Sequence, residues 1–454
     1  MRTAIIRNLF LLPVLIAGLG VMPVGRLTAQ TFTVLHSFTG GDGTFPYAGL
    51  VLSGSTMYGT TALGGGSDGG TVFAVNSDGT GFTTLYSFNG NDGVALESGL
   101  ILSGDTLYGT ATGGGSSGVG IVFALNTDGT AFRLLHSFTG GSDGRSPPAG
   151  LILSDNFLYG TAPYGGSSAR GTVFKVNTNG TGFTILHSFA GPSDGGYPVA
   201  VLILSGNTLY GTAAGGGSSS NGTVFKVDTD ASGFKNLYSF TARDMNTGTN
   251  SDGAEPSAGL ILSGNTLYGT AYEGGSGGNG TVFKVNTDGT GFTTLHSFAG
   301  PGDGANPEAG LILLGNTLYG TAAYGGSSGN GTVFAVGTDG TGFTNLYSFT
   351  GGSDGGDPTG GLILSGKTLY GSAQCGGSSG KGTLFSISLP VSSPQLTIAP
   401  SGVNIILTWP TNAAGFTLQS APALTATFIN IPGVTSPYTN AITGAQQFFR
   451  LASP

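Results

Sequence analysis

Residues 311–349 read LILLGNTLYGTAAYGGSSGNGTVFAVGTDGTGFTNLYSF. The stretch contains four short extended runs. Leu311–Leu314 is apolar and stops at Gly315-Asn316. Thr317–Ala322 (TLYGTA) follows and leads into a flexible loop from Tyr324 to Gly331. Thr332–Val336 (TVFAV) is rich in β-branched and aromatic residues, and Gly337–Gly342 is a turn. Phe343–Phe349 (FTNLYSF) is the last run. Runs of this length bounded by Gly, Asn and Asp are strands joined by hairpin turns. No segment after residue 30 carries a helical period, so the chain is predicted to be all-β.

The same unit is written seven times. Its Leu-Tyr-Gly-Thr word, or a near variant, places tyrosines at Tyr58, Tyr108, Tyr159, Tyr210, Tyr268, Tyr319 and Tyr370, in steps of 50, 51, 51, 58, 51 and 51 residues. A fixed period of this kind marks a supersecondary unit that buries its apolar face only against copies of itself. Four antiparallel strands in such a period are the size of one propeller blade. In the third run of the first repeat, Val72 and Ala74 point one way and Phe73 and Val75 the other. Both faces are apolar, as a sheet between two other sheets requires. In the fourth run of the sixth repeat, Phe343, Asn345, Tyr347 and Phe349 are expected on one side. A β-helix and a stack of hairpins are the other architectures considered; β-helix rungs are usually about half this length.

The count predicts closure. A fourth-strand run occurs at Phe32–Phe38, before the first first-strand run, whereas the last third-strand run, Thr383–Ile387, has no fourth strand after it. The N-terminal strand is therefore expected to complete the last sheet. The prediction is a seven-bladed β-propeller over residues 30–390, with no open edge left at the join.

Composition limits the function classes. Gly makes up 88 of 454 residues, against a usual ~7 %, and here punctuates turns. Charged residues are 8 % and the net charge is −8, which leaves no electrostatic footprint for nucleic acid. The single cysteine, Cys375, excludes an intramolecular disulfide. Residues 1–29 have a basic start (Arg2, Arg7), an apolar stretch from Leu9 to about Val24 and a small residue at Ala29. This is the pattern of a cleaved secretory signal peptide, with an uncleaved anchor as its rival. Past it no run has transmembrane length, so a secreted or cell-surface monomer is expected. Residues 391–454 leave the repeat. Runs at Leu396–Ile398, Ile405–Trp409, Phe416–Gln419, Phe428–Ile431 and Gln446–Leu451 predict a small β-sandwich-like, fibronectin-III-like module for attachment, with Trp409 in its core.

Antiparallel order puts the long, varied loops of every unit at one end of the ring and the short, uniform turns at the other. Binding residues usually sit on the former. One position there changes from copy to copy: Leu63, Gly113, Tyr164, Gly215, Glu273, Tyr324 and Cys375. Leu63, Tyr164, Glu273, Tyr324 and Cys375 are candidates for ligand contact, against the plainer reading of unconstrained loop tips. The neighbouring loops each carry an Asp-Gly, at Asp42, Asp92, Asp143, Asp194, Asp252, Asp303 and Asp354. Seven carboxylates on one face are candidates for a polar ligand or a hard cation such as calcium. The simpler reading has each Asp bonding its own turn. The fifth of these loops is longer, with Thr241–Ser251 inserted.

Catalytic constellations are not legible, and no catalytic residue is named. His36, His136, His187 and His296 share one fourth-strand place, where the other copies have Tyr86, Tyr238 and Tyr347. Interchange of His and Tyr fits packing or hydrogen bonding rather than ligation. Gly376–Thr383 resembles a phosphate loop but has the wrong spacing and precedes a strand. No His/Cys/Glu cluster has zinc spacing, and no carboxylate pair stands out from the sevenfold background.

The units resemble the GloVer tandem repeat of exported bacterial proteins with a choice of anchor. Leu-Tyr-Gly-Thr, Gly-Gly followed by Gly-Thr-Val-Phe, and Asp-Gly-Thr-Gly-Phe carry the resemblance over residues 32–388. The resemblance implies export and surface display and supplies no catalytic residues; a closing transmembrane run with a basic tail is missing. The expected function is a non-catalytic binding scaffold for a glycan or protein ligand, without a cofactor. A propeller enzyme of lyase or lactonase type using a cation at the Asp-Gly loops, and a purely structural envelope component, are the alternatives.

Overall fold

A computed structural model describes residues 30–390, 396–401, 404–409, 417–423, 425–441 and 447–452. The export signal expected over residues 1–29 and the linker at 392–394 lie outside the described residues. The chain divides into two compact units, one of which is Gln30–Leu389. Among the described residues every regular element is a strand, and no helix is long and apolar enough to cross a membrane.

Within Gln30–Leu389 the described strands form seven four-stranded antiparallel sheets. In the sixth repeat they are Ile312–Leu314, Thr317–Ala322, Thr332–Gly337 and Thr344–Ser348, paired in chain order. The last sheet departs from chain order. Its outer strand is Thr31–Ser37, paired antiparallel with Thr383–Ser388 beside Thr368–Ala373 and Ile363–Ser365. The N-terminal segment thus supplies the missing fourth strand.

The repeated word is explained by what its side chains do. Leu318 is fully buried between sheets. Gly320 lies opposite Phe334 in the ladder. A Cβ at Gly320 would lie 2.6 Å from Phe334 Cζ and 2.8 Å from Leu311 Cδ2, so only glycine leaves room for the ring. The next hydroxyl crosses to the following sheet. Thr60 Oγ1 donates to Ser98 O at 2.8 Å, Thr110 to Ala149 O and Thr161 to Ala200 O at 3.0 Å each. The series continues to Ser372 Oγ, which donates to Ala48 O at 3.0 Å and returns to the first repeat.

Apolar packing follows the same cycle. Val72 joins the cluster shared with the second repeat, while Phe73 and Val75 join Tyr370 and Leu384 of the last sheet. The two faces of one strand are thus divided between two neighbours. Each fully buried Phe, Leu or Val contributes roughly 1.5–3 kcal/mol through its burial. At the outer rim the fourth-strand His or Tyr stacks on the first aromatic of the next fourth strand. Centroids are 3.6–3.8 Å apart in six pairs and 4.8 Å in Tyr86–Phe132. Tyr347 stacks on Phe32, which closes this series too.

One expectation fails in the fourth strand. Phe343 packs back on the fifth repeat, against His296, while Tyr347 and Phe349 pack forward on the last sheet. The ladder pairs Val333 with Tyr347 but Phe334 with Asn345, so Leu346 is bulged. One extra residue resets the two-residue alternation.

The described residues after Pro390 form two three-stranded antiparallel sheets. One contains Thr397–Ser401, Asn404–Thr408 and Tyr438–Ala441; the other contains Ile429–Asn430, Thr417–Ala421 and Phe448–Ala452. Tyr438–Ala441 was not expected as a strand, because Thr439 and Asn440 give it no apolar signal. Trp409 is half-buried rather than central. It lies just past a strand end, where its N–H donates to Ser436 Oγ at 2.8 Å; Leu407, Leu418 and Ala421 hold the interior.

Candidate functional site

The long loops of each repeat meet in pairs. Backbone bridges join Leu63 to Thr44, Tyr164 to Arg145, Glu273 to Ala254, Tyr324 to Ala305 and Cys375 to Gly356, with Gly113 and Gly215 bridged likewise to Val94 and Gly196. The varied loop positions are therefore held on a common frame at one end of the sheets.

Immediately after each bridge stands a non-glycine residue with positive φ. Phe45, Ala95, Ser146, Tyr197, Glu255, Asn306 and Asp357 all have φ between 53° and 59°. A left-handed conformation costs such residues about 1–2 kcal/mol. It is held from both sides. Tyr197 N–H donates to Arg170 O of the preceding repeat at 2.8 Å, and Tyr197 O accepts from Ala214 N–H at 3.1 Å. Glu255 does the same with Asn221 O and Tyr272 N–H, and Asn306 with Asn279 O and Ala323 N–H. The strained residue stitches two repeats together, while its side chain is free to vary.

The seven Asp-Gly carboxylates each serve their own loop. Thr39 N–H and hydroxyl donate to Asp42 at 2.8 and 2.9 Å, and Asn89 N–H donates to Asp92 at 2.9 Å. Thr139, Ala190, Thr241, Ala299 and Thr350 N–H do so for Asp143, Asp194, Asp252, Asp303 and Asp354. The fourth strand adds a further contact. The four histidines lie 2.9–3.3 Å from these carboxylates, and the three tyrosine hydroxyls donate to them at 2.6–3.0 Å. Burial works to raise the carboxyls of Asp42 and Asp354, but these hydrogen bonds prevail and hold both below the ordinary value. Burial, with the adjacent Asp, pushes Tyr86 and Tyr347 up to about 12. Among the described residues no three His, Cys, Asp or Glu side chains gather as a metal ion would need.

The variable tips fall into separate groups. Arg145 lies over the Tyr164 ring, 5.3 Å from its centroid. Tyr164 meets Tyr197 edge-on at 5.8 Å, and Arg170 lies 5.4 Å from the Tyr197 centroid. Glu273 is ion-paired with Arg243, which also contacts Glu255 at 3.3 Å. This fastens the inserted segment to the loop face. Leu63 keeps to its bridge with Thr44.

Tyr324 and Cys375 belong to a third group that the sequence reading missed. Glu97 and Glu308 are open to solvent, yet protein surrounds them closely enough that burial raises both carboxyls; the charges of Glu97 and Asp357 raise Glu308 further. Burial also raises Asp357, Tyr47 and the Cys375 thiol, which donates a hydrogen bond to the Asp357 carboxylate. Gln374 Nε2 donates to Tyr47 OH at 2.6 Å. A sequence signal existed. The residue two places before the repeated Gly-Leu (Val201-Leu202 in the fourth copy) reads Tyr47, Glu97, Pro148, Val199, Ser257, Glu308 and Thr359, a variability masked by the regular Asp-Gly series beside it.

Comparison with known proteins identifies the repeat. The Gloeobacter/Verrucomicrobia repeat model matches residues 24–200, 112–250 and 245–437. No curated protein matches the chain in sequence. Among solved structures, the chain is similar to the extracellular domain of a protein assigned as a one-component system of B. thetaiotaomicron. The identity is 9 %, covering 91 % of this chain and 48 % of that one, with a TM-score of 0.51. The chain thus spans about half of that neighbour, and the likeness is one of fold. An oligogalacturonate lyase in complex with manganese aligns at 11 % identity over 81 % of this chain and 94 % of its own, TM-score 0.47. A protein assigned as a 6-phosphogluconolactonase of Bacteroides fragilis aligns at 15 % identity over 87 % and 97 %, TM-score 0.47.

Proposed function

The chain belongs to the Gloeobacter/Verrucomicrobia repeat family, and we propose that it is an exported seven-bladed β-propeller acting as a non-catalytic binding scaffold. In this reading the long-loop face takes a glycan or protein ligand. The C-terminal residues form a β-sandwich-like attachment module, and residues 1–29 are the export signal. The carrying observation is the set of seven strained, varied residues at the loop junctions. Strain of this kind persists where the surrounding structure over-determines it, and it clusters at working surfaces. The opposite face is uniform by contrast. Its turns repeat one hydrogen bond from Thr or Ser to Asp or Asn, as in Asp78–Thr80, Asp128–Thr130, Asn179–Thr181 and Asp230–Ser232.

An enzyme using a cation at the Asp-Gly loops is the weaker reading, because every carboxylate there is already engaged by donors of its own loop and strand. The test is a glycan array and protein capture with the full chain. Tyr164→Gly with Tyr324→Gly is expected to abolish retention, and Asp128→Asn with Asp288→Asn on the opposite face to leave it intact. No retained ligand, or equal loss from both faces, would remove the scaffold reading.

A further inference from the structure

We propose that the row Arg145, Tyr164, Tyr197 and Arg170 is a binding site for an acidic polysaccharide. The inference rests on the scaffold reading above and gives it a ligand class.

The four side chains come from two successive repeats and form one continuous series of contacts. Each guanidinium covers a tyrosine ring, and the two rings meet edge to face. Arg170 Nη1 also donates to Tyr197 OH at 3.2 Å. Tyr164 is 42 % exposed and Arg145 is exposed, while Tyr197 and Arg170 are half-buried. The row thus has an open end and an anchored end. Arg145 is the sole charged residue at its place among the seven copies.

The charge pattern is the second observation. The chain has 14 Lys and Arg against 22 Asp and Glu. On the same face Arg243 is neutralised by Glu255 and Glu273. Among the described residues neither Arg145 nor Arg170 forms an ion pair with a carboxylate. Two guanidiniums stacked on rings, with donor edges uncommitted to acids, are arranged to receive anions. Guanidinium matches the two oxygens of a carboxylate or sulfate in a planar fork.

The tyrosines decide which anion. Aromatic faces supply a flat apolar platform with a polar tip. Flat rings beside fork donors suit sugar rings that each carry an anionic group. Nucleic acid fits less well, because its binding draws on many phosphate contacts, whereas this row offers two cations on a protein of net charge −8.

The experiment is calorimetric titration of the full chain with three saccharides, an alginate hexasaccharide (carboxylate), a carrageenan hexasaccharide (sulfate) and neutral maltohexaose, and with two other polyanions, a poly-glutamate peptide and single-stranded DNA. At least one acidic probe is expected to bind more than about tenfold tighter than the neutral one, and to weaken as salt rises. Arg145→Gln and Arg170→Gln are each expected to weaken it roughly tenfold, consistent with a charge-assisted contact, with unchanged melting temperature. Arg145 makes no hydrogen bond to Tyr197, so its variant keeps the test valid if Arg170→Gln disturbs folding. Unchanged acidic binding in Arg145→Gln overturns the proposal, as does equal binding of maltohexaose. Tighter binding of a poly-glutamate peptide or of single-stranded DNA through the same arginines overturns the polysaccharide assignment. If another ligand is retained on this face and row variants leave it unaffected, this proposal falls and the scaffold reading stands. Absence of any ligand removes both.

Discussion

Replacing Phe38 with Ala, alongside Phe138 with Ala, tests the completion of the last sheet by the N-terminal strand. The two phenylalanines occupy equivalent places and are both fully buried. Phe38 packs edge-on to Phe73 at 5.4 Å and beside Phe82 at 5.8 Å; Phe138 packs on Phe174 at 5.2 Å and Phe183 at 5.8 Å. They differ in connection. Phe138 follows its own sheet directly in the chain. Phe38 extends the strand that pairs with Thr383–Ser388, at the far end of the repeats. Removing a buried Phe ring costs about 3–5 kcal/mol. Unfolding entropy near 2.1 cal/mol/K per residue, over roughly 360 residues, gives about 0.75 kcal/mol/K. Each variant should therefore melt about 5 °C below the parent in scanning calorimetry of the full chain. The two sites have nearly the same neighbours, so the same cost is expected at both. If Phe138→Ala melts about 5 °C lower while Phe38→Ala shifts by less than about 1 °C, the N-terminal strand is not part of the last sheet.

Two further outcomes follow from the outer rim. Burial, the largest influence, lowers His136, His187 and His296, and their Asp partners only partly oppose it; with folded values below the unfolded value near 6.5, the unfolded chain takes protons first as pH falls. Stability should therefore drop as pH falls from about 7 to 5, and the triple variant His136→Tyr, His187→Tyr, His296→Tyr should flatten that slope in melting curves; an identical slope in the variant would refute the assignment. Asp252 is 3 % exposed and accepts from Tyr238 OH at 2.7 Å, Thr241 N–H at 2.9 Å and the Thr241 hydroxyl at 2.5 Å, so Asp252→Ala strands three donors at about 1–3 kcal/mol each and should lower the urea midpoint clearly; an unchanged midpoint would mean that the carboxylate is not a latch.

The fold was legible where interactions are local. Thr317–Ala322 is a strand over the predicted residues, and Thr31–Ser37 is displaced by one residue from the predicted Phe32–Phe38. The Gly, Asn and Asp turns that bound the strands are short-range signals. The bulge at Leu346 was not legible, because it arises in the pairing of two strands and leaves no mark within one. Trp409 was misplaced because residue type says nothing of where a strand ends relative to the interior. Among the varied tips, Tyr164, Tyr324 and Cys375 stood out in the repeat. Glu97 and Glu308 did not, since each looks like an isolated acid until the repeats are brought round to one another.

Strand period, repeat length and the His/Tyr alternation are written into the chain itself, because each is carried by residues a few positions apart or by their copies one repeat on. Which tips become neighbours is a different matter. Arg145 reaches Tyr164, Tyr164 reaches Tyr197, and Asp357 and Glu97 act on Glu308 only once the sheets are packed in cyclic order. Seven nearly equivalent sheet contacts fix the spacing of the loops independently of what the loops contain. The side chains that meet there are therefore chosen by the geometry of assembly rather than by adjacency in sequence.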